Sequence, residues 1–386
     1  MRVDHELVER IRTSLTAASA APTASQVAAA LRAEGTVLGD AAVLDVTRQL
    51  RAEITGAGPL EGLLREPGVT DVLVNGPADV WVDRGRGLER IPMQLGDEHD
   101  VRRLAQRLAA SANRRLDDGM PFVDARLADG VRLHAVVPPI SPHGTIISLR
   151  VPAAHVFSMD QLIESGSVAP RLAPWLCAIV RSRLAFLVTG GTGTGKTTVL
   201  GALLSLADPS ERVVLVEDSG ELRPSLPHVI RLEARPRNVE GAGRVGLDEL
   251  VRQALRMRPD RLVVGEVRGR EVVDLLSALN TGHEGGCGTL HANSAADLPA
   301  RLEALGVAAG LGRDAVHAQV AAGLAVVIHL VRDRTGRRRI AEIAIVERTG
   351  AGPVVVVPAV RSLIPGECTE AAAAGRLRSW LAPELT

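Results

Sequence analysis

Lysine is nearly missing from this chain, and tyrosine is missing altogether. Of 45 basic residues one is a lysine, Lys196, and the rest are arginine. Codon bias toward GC explains a general lack of lysine, but it leaves this one position to be accounted for. Aromatic residues make up only 2% of the chain, fewer than a protein that stacks single-stranded bases generally carries. An excess of either charge is also lacking. The formal net charge is zero, so no global field would draw in nucleic acid or an anionic membrane. The three cysteines, Cys177, Cys287 and Cys368, are odd in number and far apart. They fit a reducing compartment better than a disulfide framework. The longest apolar runs, "LAVVIHLV" and "PVVVVPAV", fall far short of the ~20 residues of a membrane span. The opening stretch, "MRVDHELVERIRTSL", mixes acids and bases and has no apolar signal core.

What is present is 386 residues with 46% hydrophobic content, enough for two or three domains with their own cores. Val3, Leu7, Ile11 and Leu15 recur every fourth residue, as on an amphipathic helix. A low-complexity joint, 16–24, precedes "SQVAAALRAEG", a short helix with Ser25 as N-cap. A further helix covers Ala41 to Ile54, so residues 1–57 form a helical cap. Residues 58–151 read as an α+β domain. "TDVLVNGPADVWVDR" is strand, Asn-Gly turn, strand. A helix follows with a stripe at Val101, Leu104 and Leu108, then two or three more strands. Residues 152–170 are a linker with a short helix. From Arg171 to 349 the pattern is α/β: "AFLVTG", "RVVLVED" and "DRLVVGE" are strands, each followed by a helical stretch. That alternation predicts a parallel sheet with helices on its faces. A β-hairpin turned at Thr335–Gly336 comes next. Residues 350–386 form a tail with no readable pattern.

The lone lysine falls in "TGGTGTGKTTVL". Gly190, Gly195, Lys196 and Thr197 satisfy the phosphate-loop spacing, with a strand before and a helix after. Glycines let successive N–H groups of Gly190, Gly191, Thr192, Gly193, Thr194 and Gly195 turn inward as an anion nest. The helix start, through Thr198, adds its partial positive charge. Lysine supplies a compact point charge for the β- and γ-phosphates, a socket that the planar fork of arginine does not fit. Thr197 would ligate Mg2+. ATP and Mg2+ are therefore the expected cofactors.

Such a loop needs a metal-organising acid and a group that positions water. "RLVVGE" ends in Glu266, placed to hold Mg2+ through water. "RVVLVED" leads into a cluster of Glu217, Asp218 and Glu221 near the same sheet edge, where open α/β sheets bind ligands. "NTGHEGGCGTLHANS" carries His283, Cys287 and His291. The spacing is unlike usual zinc pairs and glycines interrupt any helix, so it reads as a loop that senses or positions phosphate. A structural histidine remains the plain alternative for His283. Arginines are too numerous to be informative singly. Arg132 and Arg150 stand out only by lying on strands of the domain before the phosphate loop.

Taken in order, "GPLEGLLREPGVTDVLVNGP", "PFVDARLADGVRLHAVVPP", "GGTGTGKTT", "VEDSGEL", "LRMRPDRLVVGEVRG" and "NTGHEGGCGTLHANS" resemble the type II/type IV secretion ATPases, most of all the Tad-pilus (tight adherence) branch. The likeness runs from about Gly58 to Glu347. It implies a RecA-like motor domain after a smaller PAS-like domain, and a homo-hexamer that drives an inner-membrane platform protein at the cytoplasmic face. It also implies that Glu221 is the catalytic glutamate of an acidic box opened by Glu217 and Asp218. Glu266 would be the Walker B acid, and His283 and His291 would belong to a histidine box. Arg132 and Arg150 would reach the γ-phosphate. Neither stable nucleic-acid binding nor zinc is expected. Ser219 and Gly220 depart from the bulkier pair usual in the acidic box.

Overall fold

The computed structural model describes residues 24–33, 43, 46–47, 56–85, 87–152, 156–235, 242–333, 335–348, 350, 352–362 and 367–385. The helix expected over the first fifteen residues and most of the one expected over 41–54 lie outside them. The chain divides into two compact units, Met1–Ala153 and Ala154–Thr386. Among the described residues no helix is long and apolar enough to cross a membrane.

In the first unit, helix α1 (Ala24–Ala33) begins one residue ahead of Ser25, so that serine lies in the first turn instead of capping it. Six antiparallel strands follow: β1 (Asp71–Gly76), β2 (Asp79–Asp83), β3 (Leu88–Ile91), β4 (Phe122–Arg126), β5 (Arg132–Val136) and β6 (Ile146–Arg150). They lie side by side in the order β3-β2-β1-β6-β5-β4. Alternation with period two sends Val72, Val74, Val80, Val82, Leu133 and Leu149 to one face. Helix α2 (Glu98–Ser111) contributes Val101, Leu104 and Leu108 to the same core. Its start is fixed by a capping box, in which Asp97 and Asp100 each bind the other's backbone N–H. The first hairpin turns at Pro77–Ala78, not at Asn75-Gly76, because Gly76 still pairs with Asp79. Proline presets the turn dihedral there.

The second unit holds a nine-stranded sheet in the order β15-β14-β13-β12-β7-β11-β10-β8-β9. Its strands are β7 (Phe186–Gly190), β8 (Val213–Glu217), β9 (Val229–Glu233), β10 (Arg261–Val267), β11 (Cys287–His291), β12 (Val326–Arg332), β13 (Arg338–Arg348), β14 (Val354–Arg361) and β15 (Thr369–Glu370). From β9 to β12 the neighbours are parallel, and from β12 to β15 antiparallel. One face is covered by α3 (Met159–Glu164), α4 (Ala173–Arg181), α5 (Lys196–Leu204) and α10 (Ala374–Leu385). The other is covered by α6 (Leu247–Ala254), α7 (Glu271–Leu279), α8 (Leu298–Ala308) and α9 (Arg313–Gly323). Burial on both sides explains why β7 and β8 read as unbroken apolar runs.

Three features depart from the sequence reading. "CGTLH" is not loop but β11, a central strand between β7 and β10. Its Gly288 is there for close approach: a Cβ would lie 2.5 Å from the Val264 carbonyl oxygen. Strand β9 went unread. Residues 350–386 are not a separate tail, since β14 extends the sheet and Leu377 and Leu381 of α10 sit in the core with Leu176 of α4.

Candidate active site

The site is built at the C-terminal ends of four adjacent parallel strands, β7, β11, β10 and β8. β7 runs apolar and buried to Gly190, then turns through Gly191–Gly195 into α5. Gly190 has no room for a side chain: a Cβ would meet the Leu330 carbonyl oxygen at 2.6 Å. Gly195 caps α5 with φ +89°, a left-handed value that favours glycine. Lys196, the first residue of α5, is buried. Its Nζ donates to the carbonyls of Gly190 at 3.2 Å and Gly191 at 2.9 Å. Burial pushes its pKa down, and the Glu266 carboxylate opposes that. Thr194 Oγ1 donates to the Gly191 carbonyl and stiffens the loop. Thr197 and Thr198 follow in the first turn of α5.

Pairing between β10 and β11 is irregular between Val264 and Val267, where Gly265 and Glu266 sit. Irregularities of this kind re-aim side chains next to active sites. Here Thr289 Oγ1 takes up the Gly265 carbonyl at 2.6 Å. Glu266 Oε1 then lies 3.0 Å from His291 Nε2. The His291 ring is 3.4 Å from Lys196 Nζ. Burial and the nearby Lys196 push the His291 pKa down, partly offset by Glu266, so the imidazole is neutral at pH 7. Behind Glu266 stands Arg268. Its Nη1 is 3.7 Å from Glu266 Oε2, and its Nε donates to Asp218 Oδ2 at 2.9 Å. Arg268 thus ties Asp218 to Glu266, a link that nothing in the sequence marks among so many arginines. Glu271 fixes the turn between them, accepting from the N–H groups of Arg268 and Gly269, both at 2.7 Å.

Glu217, at the end of β8, is buried. Its Oε1 accepts the backbone N–H groups of Glu221 and Leu222, both at 2.9 Å. Its Oε2 is buried with no hydrogen-bond partner in the structure. Desolvation pushes its pKa up to about 7, against the pull of those two donors. Glu217 therefore grips the backbone of the segment that carries Glu221, whose own side chain is exposed. Gly265 makes space for it, since a Cβ there would lie 2.7 Å from Glu217 Cγ.

Among the expected site residues, the fold brings together Lys196, Glu266, His291 and Asp218, and it places Glu217 at the same edge. It does not bring in His283. That residue precedes β11 and interacts through Nδ1 with the Ala278 carbonyl at the end of α7, whereas His291 ends β11 beside Gly190. The four residue steps from Cys287 to His291, ~13 Å of strand, lie between them. Cys287, at the start of that strand, is buried, and desolvation pushes its thiol up to about 12. Arg132 and Arg150 belong to the first unit, where they are register partners on β5 and β6. Arg132 pairs with Asp124 at 3.5 Å and Arg150 with Asp71 at 3.6 Å. Arg126 is the register partner of Arg132 on β4, so three arginines form one row across the sheet. One residue escaped notice in an apolar stretch. His329 on β12 is buried and meets Thr189 Oγ1 on β7 at 2.9 Å. It also bonds to the Asn293 backbone, so it joins the strand entering the phosphate loop to the segment following His291.

Hard oxygen donors suit Mg2+. The Thr197 hydroxyl and the Glu266 carboxylate supply them at this edge, and the residues present fit that ion.

Comparison with known proteins points to one family. A relative in Mycobacterium tuberculosis, described as "Putative conjugal transfer protein", is 56% identical over 318 residues, covering 81% of this chain and 90% of its own. The type IV secretion system protein PtlH of Bordetella pertussis is 34% identical over 59% of this chain and 74% of its own. Two solved structures share the fold. The Legionella pneumophila ATPase DotB matches with a TM-score of 0.53 at 19% identity, over 73% of this chain and 78% of that one. The pilus retraction motor PilT, solved with ADP, matches at 0.50 and 21% identity, over 84% and 85%. The second unit is accordingly a RecA-like α/β domain. The family model for type II/IV secretion system proteins matches residues 53–378, and the chain belongs to that family.

Proposed function

We propose that the chain is a Mg2+-dependent ATP hydrolase that works as an oligomeric motor, a homo-hexamer at the cytoplasmic face of the inner membrane. There it would power pilus assembly or protein secretion through a membrane platform protein. The observation that carries this reading is the meeting of Lys196, His291 and Glu266 at one sheet edge. An ammonium, a neutral imidazole and a carboxylate side by side serve a polyanion and its metal. Lys196 and the loop N–H groups bind the phosphates, and Thr197 and Glu266 would hold Mg2+, which neutralises charge developing on them. Glu221 is the group assigned to the attacking water, held in place through its backbone by Glu217. Arg132 and Arg150 are assigned to the γ-phosphate. The 56% identical relative, described as a conjugal transfer protein, favours conjugation as the machine served, and the order of sequence blocks favours a Tad pilus.

Turnover of Mg-ATP per chain should rise with protein concentration, as a ring completes its sites. Lys196→Ala should not bind ATP. Glu221→Gln should bind ATP but not hydrolyse it, because that acid acts on water and not on binding. Substantial turnover by a monomer would refute the motor, and undiminished turnover by Glu221→Gln would move the catalytic role to another acid.

A further inference from the structure

We propose that Arg332 and Arg338 form a two-arginine clamp on the α- and β-phosphates of a nucleotide seated in the phosphate loop of the same chain. The inference rests on the phosphate-loop reading above. β12 runs beside β7, with Leu330 opposite Gly190. Two residues further on, Arg332 faces Arg338, its register partner on β13. Both side chains run against the loop. A Cβ built on Gly193 would lie 3.8 Å from Arg332 Nη1, and one built on Gly195 would lie 3.7 Å from Arg338 Cδ. Arg332 is steadied there by its Nε, which donates to the Gly336 carbonyl at 3.3 Å across the hairpin turn.

Charge supports the assignment. Like charges directly opposite each other on antiparallel strands are destabilising. Among the described residues no carboxylate forms an ion pair with either arginine. An anion between them relieves that repulsion, and two planar guanidinium forks match phosphate oxygens bidentately. The position tells which phosphates. β7 lies between β11 and β12. Glu266 and His291 stand on the β11 side, where the terminal phosphate meets its acid and imidazole. The clamp stands on the β12 side and so reaches the phosphates further from that end. Such a contact is made equally to triphosphate and diphosphate, and it sets affinity, not the rate of the chemical step.

The test is calorimetric binding of ADP, and of ATP in a Glu221→Gln background, to the full chain, with turnover measured in the wild-type background. Arg332→Ala and Arg338→Ala should each weaken both nucleotides by about tenfold, the loss expected for a charge-assisted contact. The pair together should lose more, with kcat within about twofold. Arg332→Lys/Arg338→Lys, which keeps both charges, should recover part of the affinity. Should the alanine pair fail to fold, Arg332→Gln/Arg338→Gln carries the same comparison. Unchanged ADP affinity in the double variant overturns the clamp, as does a loss confined to ATP. Lys196→Ala run alongside separates the two ideas. If it binds ADP normally, the phosphate-loop reading fails. If it does not, and the arginine variants do, only the clamp fails.

Discussion

Glu217→Gln should flatten the dependence of stability on pH between about pH 4.5 and 7. Glu217 is 3% exposed, and burial is the leading cause that raises its pKa from 4.5 to about 7. The N–H groups of Glu221 and Leu222 favour the ionised form, while the Glu221 and Glu233 carboxylates oppose it. The native chain therefore keeps a proton that the unfolded chain gives up in that window. Its contribution to stability is whole below pH 4.5 and is lost as the pH rises through 7. The loss runs at about 1.4 kcal/mol per pH unit, or about 3 kcal/mol in all. Glutamine keeps the oxygen that accepts the two N–H bonds and cannot ionise. Its NH2 group, sitting where Oε2 has no partner, adds a cost that does not vary with pH. The readout is thus the slope and not the absolute difference. Urea unfolding of both proteins at half-unit steps from pH 4.5 to 8 measures it. Wild type should lose ground to the variant up to about pH 7 and run parallel above it. Parallel curves throughout would show that Glu217 ionises normally and refute the argument from burial.

Two further substitutions test the framework around the site. Arg261 is buried, with Nη2 3.1 Å from Glu211 Oε1 and 2.8 Å from the Val180 carbonyl. Arg261→Met should cost about 3 kcal/mol in urea unfolding by leaving Glu211 only the longer contact to Arg183 at 3.6 Å, and adding Glu211→Met should recover part of it. Gly265→Ala puts a methyl 2.7 Å from Glu217 Cγ. It should cost about 1–3 kcal/mol and reduce turnover by displacing the group that holds the Glu221 segment. Full stability together with full turnover would show that Glu217 gives way freely.

The phosphate loop and the α/β alternation were legible because their signals are local. Glycine spacing, one lysine, and apolar runs of strand length all sit within a few residues of one another. The parts that escaped notice depend on neighbours remote in sequence. "GGCGTLH" reads as loop because glycine usually breaks structure, but Gly288 is required by the Val264 carbonyl pressing on it across the sheet. The run "VVVVPAV" hides a strand because of Pro358, which is tolerated where the pairing between β13 and β14 slips at Ile343 and Ala344. Asn75-Gly76 carries the better turn signal, yet Pro77 and Ala78 make the turn because Gly76 is held in register by Asp79. Arginine abundance concealed Arg268, Arg332 and Arg338. Each differs from the surface arginines only in what the fold sets beside it.

Strand order decides the chemistry at the loop, and order is what a sequence does not display. Had β10 adjoined β7 directly, Glu266 would stand next to Lys196 and hold its ammonium in a close ion pair. Instead β11 is inserted between them, and the nearest group to Lys196 from that side is the neutral ring of His291. Glu266 acts from behind it, near enough to oppose the fall in the lysine pKa caused by burial. The lysine Nζ has no carboxylate in contact and rests on the two carbonyls of its own loop. Those bonds are exchanged for phosphate oxygens at less cost than a buried ion pair would be, since no opposite charge is left stranded. A histidine at the end of the inserted strand is thus what lets one lysine serve a phosphate, and His291→Glu should weaken ATP binding even though it adds a charge of the sign that lysine prefers.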